Sequence, residues 1–84
     1  MDIQTIDDFL FSSFKMHIHL RYGSEKQEHV MLFTNNFVTV EDVLHKAKKR
    51  YGKNSRLVLL NADNIRLEEN ILVEKGKSYR VKRK

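Results

Sequence analysis

The sequence predicts an α+β fold in which a mixed sheet of four or five strands packs on one helix. Residues 15–22 alternate polar and apolar side chains, which is typical of a half-buried strand. Residues 39–52 carry apolar side chains at three- and four-residue spacing, which indicates an amphipathic helix. Strand-like segments lie on both sides of this helix. The predicted order is strand, strand, helix, strand, short strand, strand.

The first strand has one apolar side and one polar side. Polar residues 23–27 then form a predicted turn, and a second strand is predicted from His29 to Thr34. The apolar side of the first strand comprises Met16, Ile18, Leu20 and Tyr22, and the polar side comprises Lys15, His17, His19 and Arg21.

The register of the second strand stays open, because residues 30–33 are apolar on both faces. If Val30 and Leu32 point inward, Met31 and Phe33 are exposed or covered by the residues before the first strand. We therefore include Met31 and Phe33 among the candidate binding residues.

The helix has clear signals at both ends. Thr39 can accept a hydrogen bond from the first-turn amides, and Glu41 and Asp42 complement the positive end of the helix dipole. Gly52 is suited to the residue that ends a helix. The apolar stripe consists of Val40, Val43, Leu44, Ala47 and Tyr51.

Three more segments complete the predicted sheet. A third strand covers residues 56–60, a short fourth strand covers residues 65–67, and a closing strand covers residues 78–82. Tyr79 and Val81 are predicted to point inward from the closing strand. Ile71 and Val73 are expected to be buried anchors in the connection before it.

The chain has 84 residues, enough for one domain, which we place at residues 15–84. Residues 1–14 form a predicted leader or short amphipathic segment. It could be a lid on the domain, a segment that docks a partner, or a disordered leader. We favour the lid, because three phenylalanines left in water would expose an adhesive patch.

The amino-acid composition excludes several kinds of site and classes of protein. There is no cysteine, which excludes disulfides and cysteine-based zinc sites, and no apolar run approaches the ~20 residues of a membrane span. Residues 1–14 contribute −3 to the overall charge of +5, so the remainder carries +8. No signal peptide or catalytic motif is recognisable. We expect that the protein is not an enzyme, and that it binds no cofactor, no small-molecule substrate and no membrane. Three histidines on the predicted hairpin, His17, His19 and His29, are more simply surface residues than metal ligands.

The order of elements is the β-grasp arrangement, and the chain resembles ubiquitin-like domains from about Met16 to Lys82. Residues 16–21 (MHIHLR) resemble the opening strand of ubiquitin, and residues 39–43 (TVEDV) resemble the start of its helix. Residues 56–59 (RLVL) resemble the strand after that helix, and residues 70–71 and 75–79 its approach to the last strand. The resemblance implies a protein-binding module.

Within that superfamily, residues 72–83 (LVEKGKSYRVKR) and the pair Asn61-Ala62 resemble the DWNN domain. DWNN domains are ubiquitin-like modules at the start of larger nuclear proteins related to ubiquitin ligases and messenger-RNA 3′-end processing. The resemblance implies a nuclear protein, and the lack of cysteine, of a membrane span and of a signal peptide favours the nucleus or cytoplasm. The residues before Met16 depart from the usual DWNN start. Phox-and-Bem-type interaction domains share the opening elements, but Asp63, Glu68 and Glu69 are too sparse for their acidic loop.

Two departures from ubiquitin bear on function. The sequence ends in residues 82–84 (KRK) without a Gly-Gly pair, so we expect no conjugation. The positions that match ubiquitin's apolar recognition patch are Val58, Arg80 and Lys82, so we expect a protein partner with an acidic surface. Reversing the charges of Arg80 and Lys82 should abolish binding and leave melting nearly unchanged. The predicted protein-binding residues are Val58, Arg80, Lys82, Met31, Phe33, His17 and His19.

Two alternatives remain at the level of the sequence. One is a small basic domain that binds nucleic acid. Such binding would be weak, because Tyr22, Tyr51 and Tyr79 suit the core or its edge better than a surface on which bases stack. The other is self-association through the edge of the second strand, His29 to Phe33. The residues expected to contact nucleic acid are Lys46, Lys49, Arg50, Lys53, Arg83 and Lys84.

Overall fold

The computed structural model describes residues 13–84. The predicted leader therefore lies outside the described residues, apart from Ser13 and Phe14. The elements are β1 (Met16–Tyr22), β2 (His29–Phe33), α1 (Val40–Tyr51), β3 (Leu57–Leu60), β4 (Arg66–Leu67) and β5 (Ser78–Arg83).

The five strands form one sheet in the order β2-β1-β5-β3-β4. The β1–β2, β3–β5 and β3–β4 pairs are antiparallel, and the central β1–β5 pair is parallel. A parallel neighbour requires a crossover, and the segment that contains α1 supplies it. This is the β-grasp arrangement, so the predicted fold class is confirmed.

The core lies between α1 and one side of the sheet. Ile18, Leu20, Leu59 and Val81 are fully buried there. The predicted apolar stripe of the helix meets them: Val40, Val43, Leu44 and Ala47 are all buried. In the strands, the residue after each buried one points away from the helix, because side chains alternate along a strand.

Both predicted ends of the helix are confirmed. The Thr39 hydroxyl accepts a hydrogen bond from the Asp42 backbone N–H at 3.2 Å, and the Asp42 carboxylate accepts one from the Thr39 N–H at 3.0 Å. Gly52 has φ 109°, a conformation that side chains disfavour. Its N–H donates to the Lys48 carbonyl. These two caps define where the helix begins and ends.

The placement of Met31 and Phe33 on the outer side of the sheet was wrong. The register pairs Ile18 with Met31 and Met16 with Phe33, and directly opposed residues share a face. Met31 is accordingly buried, and Phe33 packs against the core. Val30 and Leu32 therefore take the outer side.

The connection before β5 is partly as predicted. Val73 is buried, and Tyr79 and Val81 point inward. Ile71, however, is 43 % exposed and is not a buried anchor. The backbone of Ile71, rather than its side chain, holds this connection against the helix, because the Ile71 carbonyl accepts a hydrogen bond from the Val40 N–H at the start of α1.

Candidate functional site

The candidate site is the side of the sheet that faces away from α1, which we call the basic sheet face. It combines cations, two histidines and half-buried or exposed aliphatic residues. Strand alternation and the register give its members: His17, His19, Arg21, Val30, Leu32, Val58, Leu60, Arg66, Arg80 and Lys82.

Cations and aliphatic side chains alternate across this face. The register places Arg21 beside Arg80, Arg80 beside Leu60, and Leu60 beside Arg66. Lys82 lies beside Val58 in the adjacent row. Val58, Arg80 and Lys82 therefore lie together on the outer side, as predicted. Leu60 and Arg66 continue the line of side chains that begins with Arg21 and Arg80. Residue spacing alone did not predict that these two would belong to it.

Arg80 is not a free surface cation. Its guanidinium donates hydrogen bonds to the carbonyl oxygens of Gly23 and Glu25, and its side chain is half-buried. Gly23 also donates its own N–H to the Val81 carbonyl. Arg80 thus holds the β1–β2 turn against β5. The expectation that reversing its charge leaves melting nearly unchanged is at odds with these contacts.

Lys82 and Arg66 have different surroundings from Arg80. Both are exposed, and the side chain of neither forms an ion pair or a hydrogen bond with residues 13–84. A partner that contacts them does not have to break an existing interaction. These two cations are therefore the available charges of the basic sheet face.

A depression of about 120 Å³ lies beside the arginine row. The Asn61 side-chain oxygen accepts hydrogen bonds from the N–H groups of Asp63 (2.9 Å) and Ile65 (3.1 Å). Its amide nitrogen forms no hydrogen bond with residues 13–84 and can act as a donor. Arg21, Arg80 and Asn61 bring side chains with hydrogen-bond donors to the lining of a space that suits one carboxylate group. The lining residues are Arg21, Asn61, Ala62, Asn64, Ser78, Tyr79 and Arg80.

The histidines of the hairpin do not form one cluster. The rings of His17 and His19 meet edge to face at 5.7 Å on the basic sheet face. His29 pairs with Leu20 and so lies on the helix side, 5.3 Å from the Tyr22 ring. Within residues 13–84 there is no group of three or more side chains arranged to hold a metal ion.

His19, Glu28 and Ser78 lie close together, but not in the order of a catalytic triad. The His19 imidazole is 3.1 Å from the Glu28 carboxylate, and the Ser78 hydroxyl donates to that same carboxylate at 3.5 Å. A triad needs the hydroxyl to contact the imidazole. Arg21 also lies 3.5 Å from Glu28, so the carboxylate serves as a shared acceptor.

The residues predicted for nucleic-acid binding fall into two groups. Lys46 donates to the Leu32 carbonyl, Arg50 pairs with Glu25 at 2.9 Å, and the Arg83 guanidinium lies over the Tyr51 ring. These three are already engaged. The side chains of the other three form no hydrogen bond, ion pair or ring contact with the described residues; these are Lys49, Lys53 and Lys84.

The three tyrosines belong to the core or its edge, as predicted. Tyr79 is buried, and its hydroxyl accepts a hydrogen bond from the Glu74 N–H at 2.9 Å. Tyr22 and Tyr51 are half-buried, and Arg50 covers the Tyr22 ring at 4.3 Å. Burial raises the pKa of the Tyr22 hydroxyl, against the opposing effect of Arg50.

The chain matches no protein-family model, and no curated protein matches it significantly. In the described part of the chain, no helix has both the length and the apolar character that a membrane span requires.

Proposed function

We propose that this chain is a ubiquitin-like interaction module that binds an acidic protein surface through the basic sheet face. The observation that carries the proposal is the arrangement on adjacent strands of exposed Arg66 and Lys82 beside half-buried Leu60 and Val58. Cations that flank aliphatic residues are suited to a partner that carries carboxylates around a small apolar centre. The depression beside Arg21 and Arg80 would accept one of those carboxylates.

The dimensions of the face favour a transient complex. Five strands about 4.8 Å apart and about 17 Å long present a face of roughly 400 Å². Stable complexes bury about 800 Å² per partner. We therefore expect weak, fast-exchanging binding that weakens further with salt, because exposed ion pairs are screened.

We propose a binding role rather than an enzymatic one. The one hydroxyl that lies near an imidazole and a carboxylate on the basic sheet face is that of Ser78, and it contacts the carboxylate of Glu28. No imidazole is thus hydrogen-bonded to it among the described residues of this face. The cations of this face can bind carboxylates of a partner without catalysing a reaction.

The resemblance of residues 72–83 to the end of the DWNN domain supports a more specific proposal. The chain would act as one domain of a larger protein of the ubiquitin pathway or of RNA processing, in the nucleus or cytoplasm. Its own contribution would be to recognise a protein partner through the basic sheet face.

Affinity capture with matched charge reversals tests the proposed face. Lys82→Glu with Arg66→Glu should lose partners that the unchanged chain captures, because it reverses the two available cations. The control, Lys48→Glu with Lys53→Glu, makes the same charge change near the end of α1 and should retain them. Mass spectrometry of the captured proteins supplies the comparison. Equal capture by the two double variants would refute the proposed face.

Nucleic-acid binding is the alternative, because the ammonium groups of Lys49 and Lys53 form no hydrogen bond or ion pair with the described residues. Fluorescence anisotropy with single-stranded RNA at two salt concentrations distinguishes it. Binding through Z phosphates predicts a log–log salt slope of about −0.7Z. Tight binding with a steep slope, lost in Lys49→Glu with Lys53→Glu, would favour this alternative. No binding at low salt would exclude it.

A further inference from the structure

A groove of about 470 Å³ is bounded by β2 and α1, away from most of the basic sheet face. Its apolar surface comes from Met31, Val30 and Leu32, and three cations of the helix border it. Phe14, the residue just before β1, also lines it. The lining residues are Phe14, Tyr22, Val30, Met31, Leu32, Lys46, Lys49 and Arg50.

The groove follows an edge of the sheet. β2 is the outermost strand, so on its outer side no strand of residues 13–84 pairs with it. The Leu32 carbonyl points to that side, because it accepts a hydrogen bond from Lys46. Along an antiparallel strand alternate residues point their backbone groups to the same side, so those of Val30 do so as well. A sheet edge without a neighbouring strand invites association with other chains.

Residues 1–12 match the groove in chemistry. After Met1 they carry five large apolar residues, three carboxylates and no basic residue. The groove offers the complement, an apolar surface bordered by Lys46, Lys49 and Arg50. The apolar residues are Ile3, Ile6, Phe9, Leu10 and Phe11, and the carboxylates are Asp2, Asp7 and Asp8.

Residues 1–12 are also tethered beside the groove. They join the described chain through Ser13 and Phe14, and Phe14 already lines the groove. Twelve extended residues reach up to ~40 Å, against the ~17 Å length of a five-residue strand. A short tether gives an effective concentration in the millimolar range, so even weak contacts suffice for occupancy.

We propose that residues 1–12 bind this groove within the same chain, with their carboxylates against Lys46 and Lys49 and their apolar side chains over Met31 and the β2 edge. Docked there, they cover the strand edge that would otherwise pair with another molecule. The part of the basic sheet face on β1, β3, β4 and β5 remains open. This proposal is independent of the proposed partner at that face.

Paramagnetic relaxation enhancement in the full chain tests the docking. Because the sequence has no cysteine, Thr5→Cys gives a single attachment site for a spin label. We expect several-fold stronger broadening of the Val30, Leu32 and Lys46 amides than of Ile65 and Arg66, at the opposite edge of the sheet. Uniform broadening, or none, would overturn the proposal.

A mixed sample distinguishes a second copy from the same chain. Spin-labelled protein without nitrogen-15 is mixed with nitrogen-15 protein that carries no label. Intramolecular docking predicts no broadening in this sample. Broadening at Val30 and Leu32 would show that another copy occupies the groove, and would overturn the proposal.

Charge reversal with rescue tests the proposed ion pairing. Asp7→Lys with Asp8→Lys should reduce the broadening at Val30 and Leu32 several-fold. Adding Lys46→Glu with Lys49→Glu should restore it, whereas the control pair Lys48→Glu with Lys53→Glu should not. An unchanged broadening pattern in the aspartate variant would contradict the proposed pairing.

Discussion

Arg80 and Lys82 lie two residues apart on β5 and face the same side, yet they have different roles. Arg80 donates to two carbonyl oxygens of the β1–β2 turn, whereas Lys82 is exposed and contacts no acceptor among the described residues. Strand alternation predicted the outward direction of both. It could not predict the contacts of Arg80, because Gly23 is 57 residues away in sequence.

This difference predicts unequal effects on stability. Arg80→Met keeps the length of the side chain but removes its hydrogen bonds, so we expect a loss of about 1–2 kcal/mol. Lys82→Met, the matched control, should change the free energy of unfolding by less than about 0.5 kcal/mol. Urea denaturation measures both. Equal effects would contradict a structural role for Arg80.

Tyr22 predicts a dependence of stability on alkaline pH. Burial raises the pKa of its hydroxyl, so the folded state favours the protonated form. The stabilisation is complete below the unfolded pKa of about 10 and is lost as pH rises through the folded value. Tyr22→Phe should therefore lose less stability than the unchanged chain above about pH 10. Urea denaturation from neutral to alkaline pH measures this. A stability difference that is the same at every pH would contradict it.

At the scale of elements, segments with local signals were predictable and the register of β2 was not. The helix was expected from Thr39 to Gly52 and is observed as Val40–Tyr51, because its caps are encoded locally. β2 is apolar on both faces, and a shift of one residue exchanges them. Its partner decides the register, since Ile18 opposes Met31.

Two neighbouring residues test this register directly. Met31→Thr should cost about 2–4 kcal/mol, because it leaves a cavity and buries a hydroxyl. Val30→Thr keeps a β-branched shape at a position that is 58 % exposed, so we expect a change below about 0.5 kcal/mol. Thermal or urea unfolding compares the two. The reverse order of costs would show that the strand is shifted by one residue.

At the scale of the whole molecule, the sheet separates two kinds of surface. One side buries the core under α1, and the other presents cations and aliphatic residues from all five strands. Most of this face was predictable from alternation, including Val58, His17 and His19. Arg66 and Leu60 were missed, because their adjacency depends on how β3 turns back into β4 after Asn64, which has φ 62°.

The proposed binding of an acidic protein partner to the basic sheet face can be mapped by chemical shifts. The nitrogen-15-labelled chain is titrated with a partner that affinity capture identifies. We predict that the largest shifts occur at Val58, Leu60, Arg66 and Lys82, and that added salt weakens them. Shifts confined to the end of α1, around Lys49 and Lys53, would contradict binding at the basic sheet face.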